Sequence, residues 1–128
     1  MWPDHCVQNT PGAEFHQGLN RLPSDVLISK GLARFVDSYS GFGTQPHEDT
    51  GLHERLQERG VTDVYVVGLA YDYCVGSTAF DAAALGYKTT IVMDATRPVA
   101  EASAKVMDDR LEKAGVLKMV SVQLLGQH

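Results

Sequence analysis

The stretch Asp63-Val64-Tyr65-Val66-Val67-Gly68-Leu69-Ala70-Tyr71-Asp72-Tyr73-Cys74-Val75-Gly76-Ser77-Thr78-Ala79-Phe80-Asp81-Ala82-Ala83-Ala84-Leu85-Gly86-Tyr87 decides the fold. Its first half, Asp63 to Ala70, is a short apolar run rich in β-branched residues and opened by a polar one. That pattern predicts a strand buried on both faces, as inside a parallel sheet. From about Cys74 to Leu85, small and apolar residues recur at helical spacing and stop at Gly86, a natural residue to follow a helix end. Cys74 therefore stands where a strand turns into a helix. In open α/β sheets the binding crevice lies at this carboxyl end of the strands.

Two readings of Cys74 follow from that position. The first turn of a helix has unpaired N–H groups and the positive end of the dipole, and both favour thiolate over thiol. A thiolate there is a nucleophile beside donors for an oxyanion. The other reading is a small residue filling the core, since free cysteines are often buried.

Composition narrows the class. The chain has 128 residues, enough for one domain with its own core, and 44% are apolar. Net charge is −5 and the basic residues are scattered, which argues against a nucleic-acid or anionic-membrane surface. No apolar run reaches membrane-spanning length, and Met1-Trp2-Pro3-Asp4 does not read as a signal peptide. Cys6 and Cys74 lie far apart without CxxC spacing, so a reducing, cytoplasmic setting is expected.

Residues 1–24, rich in Pro, Gly, His and Asn, read as a long loop or lid. In it, His5 is a surface residue or a metal ligand. A zinc-type site needs about three protein ligands, and the spacing to His16 is not diagnostic. Cys6 reads as buried packing before it reads as a ligand. Asp25-Val26-Leu27-Ile28-Ser29 predicts a second short strand that delivers Lys30, followed by Gly31, to a strand end, where a lysine can be solvated or can steady a nearby anion. Residues 37–51 read as a loop, with Tyr39 and Phe42 either lining a pocket or packing on the sheet. A helix over 50–59 is capped by Asp49 or Thr50 and ended by Gly60. Lys88 to Met93 predicts a strand that brings Asp94 to the same edge. Residues 100–114 predict an amphipathic helix closed by Gly115, and Lys118 to Leu125 a last strand. Strands alternating with helices imply βαβ crossovers and a parallel sheet.

Several motifs together resemble one family. They are Trp2 to His16 (WPDHCVQNTPGAEFH), Lys30-Gly31, Asp37-Ser38-Tyr39-Ser40-Gly41-Phe42, and Gly68 to Val99 (GLAYDYCVGSTAFDAAALGYKTTIVMDATRPV). In collinear order over residues 1 to about 115 they resemble the nicotinamidases of the isochorismatase-like cysteine hydrolases. The resemblance implies an isochorismatase-like, Rossmann-like fold: a parallel sheet flanked by helices in three α/β/α layers, incomplete at its amino-terminal end. It implies a single domain over 1–128, the carboxyl-terminal two-thirds of the family fold. It also implies an amidohydrolase acting on a linear amide: nicotinamide hydrolysed to nicotinate and ammonia through a cysteine thioester, in NAD salvage. Cys74 matches the nucleophile and Lys30 the catalytic lysine. The backbone N–H groups of Ala70 and Cys74 match the oxyanion hole, with a cis peptide at Leu69–Ala70. Trp2 and Tyr39 match the aromatics that flank the ring. His5 matches one ligand of a divalent metal, zinc first, with iron or manganese as alternatives.

The chain also departs from the family pattern. The family's first strand with its catalytic aspartate, and its Asp-x-His metal pair, have no match here, so the metal site is incomplete and neighbouring strands are expected to expose edges. Asp72 reads as a structural acceptor and Asp94 as a loop anchor; neither reads as a replacement for the aspartate. Tyr71 stands where many relatives carry threonine, which bears on the pocket and not on the chemistry. Two further readings stay open beside the nicotinamidase one. One is a truncated, non-catalytic chain, or one completed by a homo-oligomeric or other partner supplying the absent segment. The other is a related hydrolase acting on isochorismate or another small acyl or amide substrate, pyrazinamide among them.

Overall fold

A computed structural model describes residues 2–126. Three parallel strands form the sheet, in the order β3-β4-β5: β3 (Asp63–Leu69), β4 (Lys88–Arg97) and β5 (Leu117–Met119). A five-residue π-helical turn, Tyr71–Val75, leads from β3 into α2 (Gly76–Ala84), and α3 (Glu101–Ala114) connects β4 to β5. Gly115 ends α3 in the left-handed conformation (φ 80°), as its position past the last apolar residue requires. The core joins Val66, Val75, Ala79, Ile91, Met107, Leu111 and Val116, so α2 and α3 close over one face of the sheet.

β3 departs from the expectation of burial on both faces. Val66 is buried, but Tyr65, Val67 and Leu69 are exposed, Leu69 at 74%. The alternation has a period of two, as a strand covered on one face requires. β3 also stands at the edge of the three-stranded sheet. Its pairing with β4 is interrupted: Val66 faces Ile91, but Gly68 faces Thr96, so β4 bulges opposite Val67. The bulge lengthens β4 to Arg97, past the expected end at Met93.

Three other expectations are corrected. Asp25–Ser29 is not a strand: with no ladder partner among the described residues it runs as irregular chain, and Leu27 is 59% exposed. The final segment is a strand only to Met119 and then a short helix, α4 (Ser121–Leu125). Asp94 accepts from the Ser121 amide (2.8 Å) and hydroxyl (2.5 Å), which turns the chain out of the ladder. The loop over 37–51 contains a small antiparallel hairpin, β1 (Gly43–Thr44) and β2 (Glu48–Asp49). Gly43 has φ 95°, and a Cβ there would lie 2.3 Å from the Glu48 carbonyl oxygen, so only glycine lets the hairpin close. The helix α1 (Leu52–Glu58) follows, with Gly51 at its N-cap position. Asp49 and Thr50 each accept a backbone N–H at that end, from Gly51 and Leu52.

Candidate active site

The turn that carries Cys74 is held from behind. Tyr71 is buried in the core, and its hydroxyl donates to Asp108 on α3, which also pairs with Lys118 at 2.7 Å. The side chain therefore faces the core, correcting the expectation that Tyr71 bears on the pocket. Asp72 is buried as well. It accepts from the amides of Val99 (2.9 Å) and Ala100 (3.2 Å) and from the Ser103 hydroxyl, binding the turn to the N-terminus of α3. Burial pushes its carboxyl up, but the hydrogen bonds from Ser103, Val99 and Ala100 outweigh that and hold it below the usual carboxylate range. Both groups are structural acceptors or donors facing away from Cys74.

On the other side of the turn, Cys74 is half-buried and its sulfur lies 3.4 Å from the Lys30 ammonium. Lys30 also donates to the Ser38 carbonyl at 2.8 Å. The residues around it come from loops that secondary structure alone would leave free. Thr78, one helical turn beyond Cys74, donates to the Cys74 carbonyl (2.6 Å) and accepts from the Gly41 amide (2.8 Å). That bond docks the 38–42 loop against α2.

Aromatic rings gather around Tyr73, the chain neighbour of Cys74. The Trp2 indole donates to the Tyr39 hydroxyl at 3.0 Å. Tyr73, the neighbour of Cys74, meets Trp2 edge-on at 5.0 Å and Tyr39 at 5.5 Å between ring centres. Trp2 and Tyr39 thus meet directly. Adjacency to Cys74 in the turn is the one sequence signal that points to Tyr73. Phe42 is buried and belongs to the packing of the loop. A cleft of about 380 Å³ lined by Phe42, His53, Asp81 and Leu85 includes none of Cys74, Lys30, Trp2 or Tyr39.

The Leu69–Ala70 peptide is cis, at the position the resemblance implied. The Ala70 carbonyl accepts from the Tyr73 and Val75 amides, both at 3.1 Å, and the Cys74 amide is not among the donors of these bonds.

His5 lacks, among the described residues, the further ligands that a metal site needs. His5 is exposed, with Nδ1 2.7 Å from the Pro3 carbonyl oxygen, and His16 accepts from the Gly18 amide. Cys6 is exposed too, correcting the expectation that it packs inside; its φ of 49° places it in a turn of the outer loop. Among the described residues no group of three or more His, Cys, Asp or Glu side chains is arranged to hold a metal ion. The residues present do not by themselves fit a metal.

The isochorismatase domain model matches residues 1–120, and the chain belongs to that family. A curated nicotinamidase of Acinetobacter baylyi is 43% identical over 100 residues, covering 77% of this chain and 47% of the relative. Among solved structures, PnC1 from L. infantum in complex with nicotinate superposes with a TM-score of 0.90 at 38% identity, covering 95% of this chain and 62% of that one. The pyrazinamidase of Pyrococcus horikoshii in complex with zinc gives a TM-score of 0.83 at 35% identity, covering 94% and 63%. The chain spans about half the length of the curated relatives it matches, 47% of the Acinetobacter protein. Its parallel sheet with flanking helices is the isochorismatase-like fold.

Proposed function

We propose that the chain serves the hydrolysis of nicotinamide to nicotinate and ammonia, with Cys74 as nucleophile. The observation that carries this reading is the Lys30 ammonium 3.4 Å from a cysteine at a strand-to-helix turn whose preceding residue, Tyr73, packs against Trp2 and Tyr39. The Cys74 thiolate, steadied by Lys30, attacks the carboxamide carbon, and the carbonyl electrons move to oxygen. The amides of Ala70 and Cys74 receive that oxyanion. Collapse expels ammonia once its nitrogen has taken up a proton, leaving a thioester. Water then adds to the thioester, releasing nicotinate and returning the thiol. The rings of Trp2 and Tyr39 flank the flat pyridine, and pyrazinamide has the shape to occupy the same place.

Delivery of the proton to ammonia is general-acid work, usually worth about 100- to 10,000-fold in rate. Among the described residues no carboxylate bonds to Cys74, and Lys30 is its side-chain partner. In this reading a carboxylate comes from a further segment or a partner chain, as does the rest of any zinc site to which His5 belongs. Nicotinate so formed returns to NAD by salvage in the cytoplasm.

Ammonia release from nicotinamide, measured with added zinc, manganese or iron, tests the reading. The 128-residue chain alone is expected to release little. Joined to the amino-terminal segment of a nicotinamidase relative, it is expected to release ammonia, and Cys74→Ala to abolish that release. A joined protein that folds but is inactive, or one whose activity survives Cys74→Ala, would overturn the proposal.

A further inference from the structure

We propose that Glu48 is a positioning residue for Lys30. The segment that carries Lys30 belongs to no strand or helix from Glu14 to Ser40, and Leu27, Leu32 and Phe35 on it are exposed. Neither a ladder nor core packing therefore sets where the ammonium stands. Beside a bond from the Gln8 side-chain amide to the Leu32 carbonyl (3.3 Å), the groups that hold the segment come from one carboxylate on the β1–β2 hairpin, Glu48. One Glu48 oxygen accepts from the Gly31 amide (2.7 Å) and the Leu32 amide (3.2 Å), gripping the chain directly after Lys30. The other oxygen accepts from the Ser38 hydroxyl, and the Ser38 carbonyl is the group to which Lys30 donates at 2.8 Å.

Both ends of the 31–38 loop thus close on one side chain. Lys30 is left with its ammonium between the Ser38 carbonyl and the Cys74 sulfur. The tight closure at Gly43 sets the hairpin backbone from which the carboxylate reaches. Hydrogen bonding from Ser38, and then from the Leu32 and Gly31 amides, holds the Glu48 carboxyl below the usual range despite the opposing effect of burial. Glu48 touches neither the sulfur nor the ring wall. Its effect on Cys74 passes through Lys30.

The proposal rests on reading Lys30 as the partner of a Cys74 thiolate, and its test needs no substrate. Iodoacetamide alkylates a thiolate with loss of iodide, so the rate at Cys74, followed by mass spectrometry in a Cys6→Ser background, reports how well the sulfur is supported. Rates are taken at about pH 7. Lys30→Ala is expected to slow Cys74 alkylation at neutral pH about tenfold. Glu48→Ala should reproduce most of that loss. Glu48→Gln, which keeps an acceptor for the amides and a polar group for Ser38, should stay within about twofold of the parent. In the Lys30→Ala background, Glu48→Ala should add nothing, since a residue that acts through another has no effect once the other is gone.

An unchanged rate in a folded Glu48→Ala chain would overturn the proposal, as would an equal loss with and without Lys30. If Glu48→Ala does not fold, Ser38→Ala removes one arm of the clamp and carries the same paired comparison. Intact Glu48 dependence in a protein that never releases ammonia would sink the nicotinamide reading alone. Ammonia release without Glu48 dependence would sink this one alone.

Discussion

At the residue scale, the turn bearing Cys74 depends on a carboxylate that takes no part in the chemistry proposed for it. Asp72→Asn keeps one acceptor but removes the charge facing the first amides of α3, so a loss of about 1–3 kcal/mol is expected in a urea titration. Acid should act in the same direction. Glu48, Asp72, Asp94 and Asp108 are all held below their ordinary values, 4.5 for the glutamate and 3.8 for the aspartates. The folded chain therefore binds fewer protons than the unfolded chain at mildly acid pH. Its extra stability is complete above about 4.5 and drains away as pH falls through the lowered values. Urea midpoints should be flat between about pH 6 and 5 and fall below about 4, and Asp72→Asn should shallow that fall. A midpoint that rises on acidification would contradict the assignment.

At the element scale, the close approach of α2 to α3 rests on small residues. Ala79 and Ala82 are fully buried, and a Cβ on Gly76 would lie 2.5 Å from the Met107 sulfur and 2.6 Å from the Tyr71 carbonyl oxygen. Gly76 has an ordinary helical φ of −62°, so helix propensity alone would favour alanine there. Packing reverses the sign. Gly76→Ala is expected to destabilise by about 1–3 kcal/mol in thermal or urea unfolding. Adding Met107→Ala should recover only part, because the second clash is with backbone. The small-residue run was legible as a helix from its spacing, but nothing in the spacing told which face would meet α3.

At the scale of the whole molecule, β3 presents an unpaired edge with Tyr65, Val67 and Leu69 exposed beside it. Unpaired N–H and C=O groups flanked by apolar side chains favour strand addition between chains. The weight-average mass from light scattering is expected to rise with concentration, and Val67→Lys to suppress that rise without lowering the melting temperature. Equal scattering from both would show that the edge is not the contact. The 128 residues are further proposed to unfold as one unit. Trp2, the single tryptophan, stands beside Tyr39 and Tyr73, so its fluorescence should change at the same urea concentration as far-UV circular dichroism. An earlier fluorescence transition would mean that the loop wall detaches from a sheet that stays folded.

The amino-acid sequence by itself determined the strand–turn–helix unit around Cys74 and the long helix ending at Gly115. These are set by local periodicity and by glycine at helix ends. Only the tertiary structure decided that 25–29 is not a strand, that β3 has one open face, that Tyr71 turns inward, that Tyr73 meets Trp2 and Tyr39, and that Glu48 grips Gly31, Leu32 and Ser38. A strand needs a ladder partner distant in sequence, and burial needs a second element to cover a face. Glu48 meets Gly31 and Ser38 only because the hairpin closes at Gly43. Such meetings are properties of how distant segments pack, and no local pattern records them.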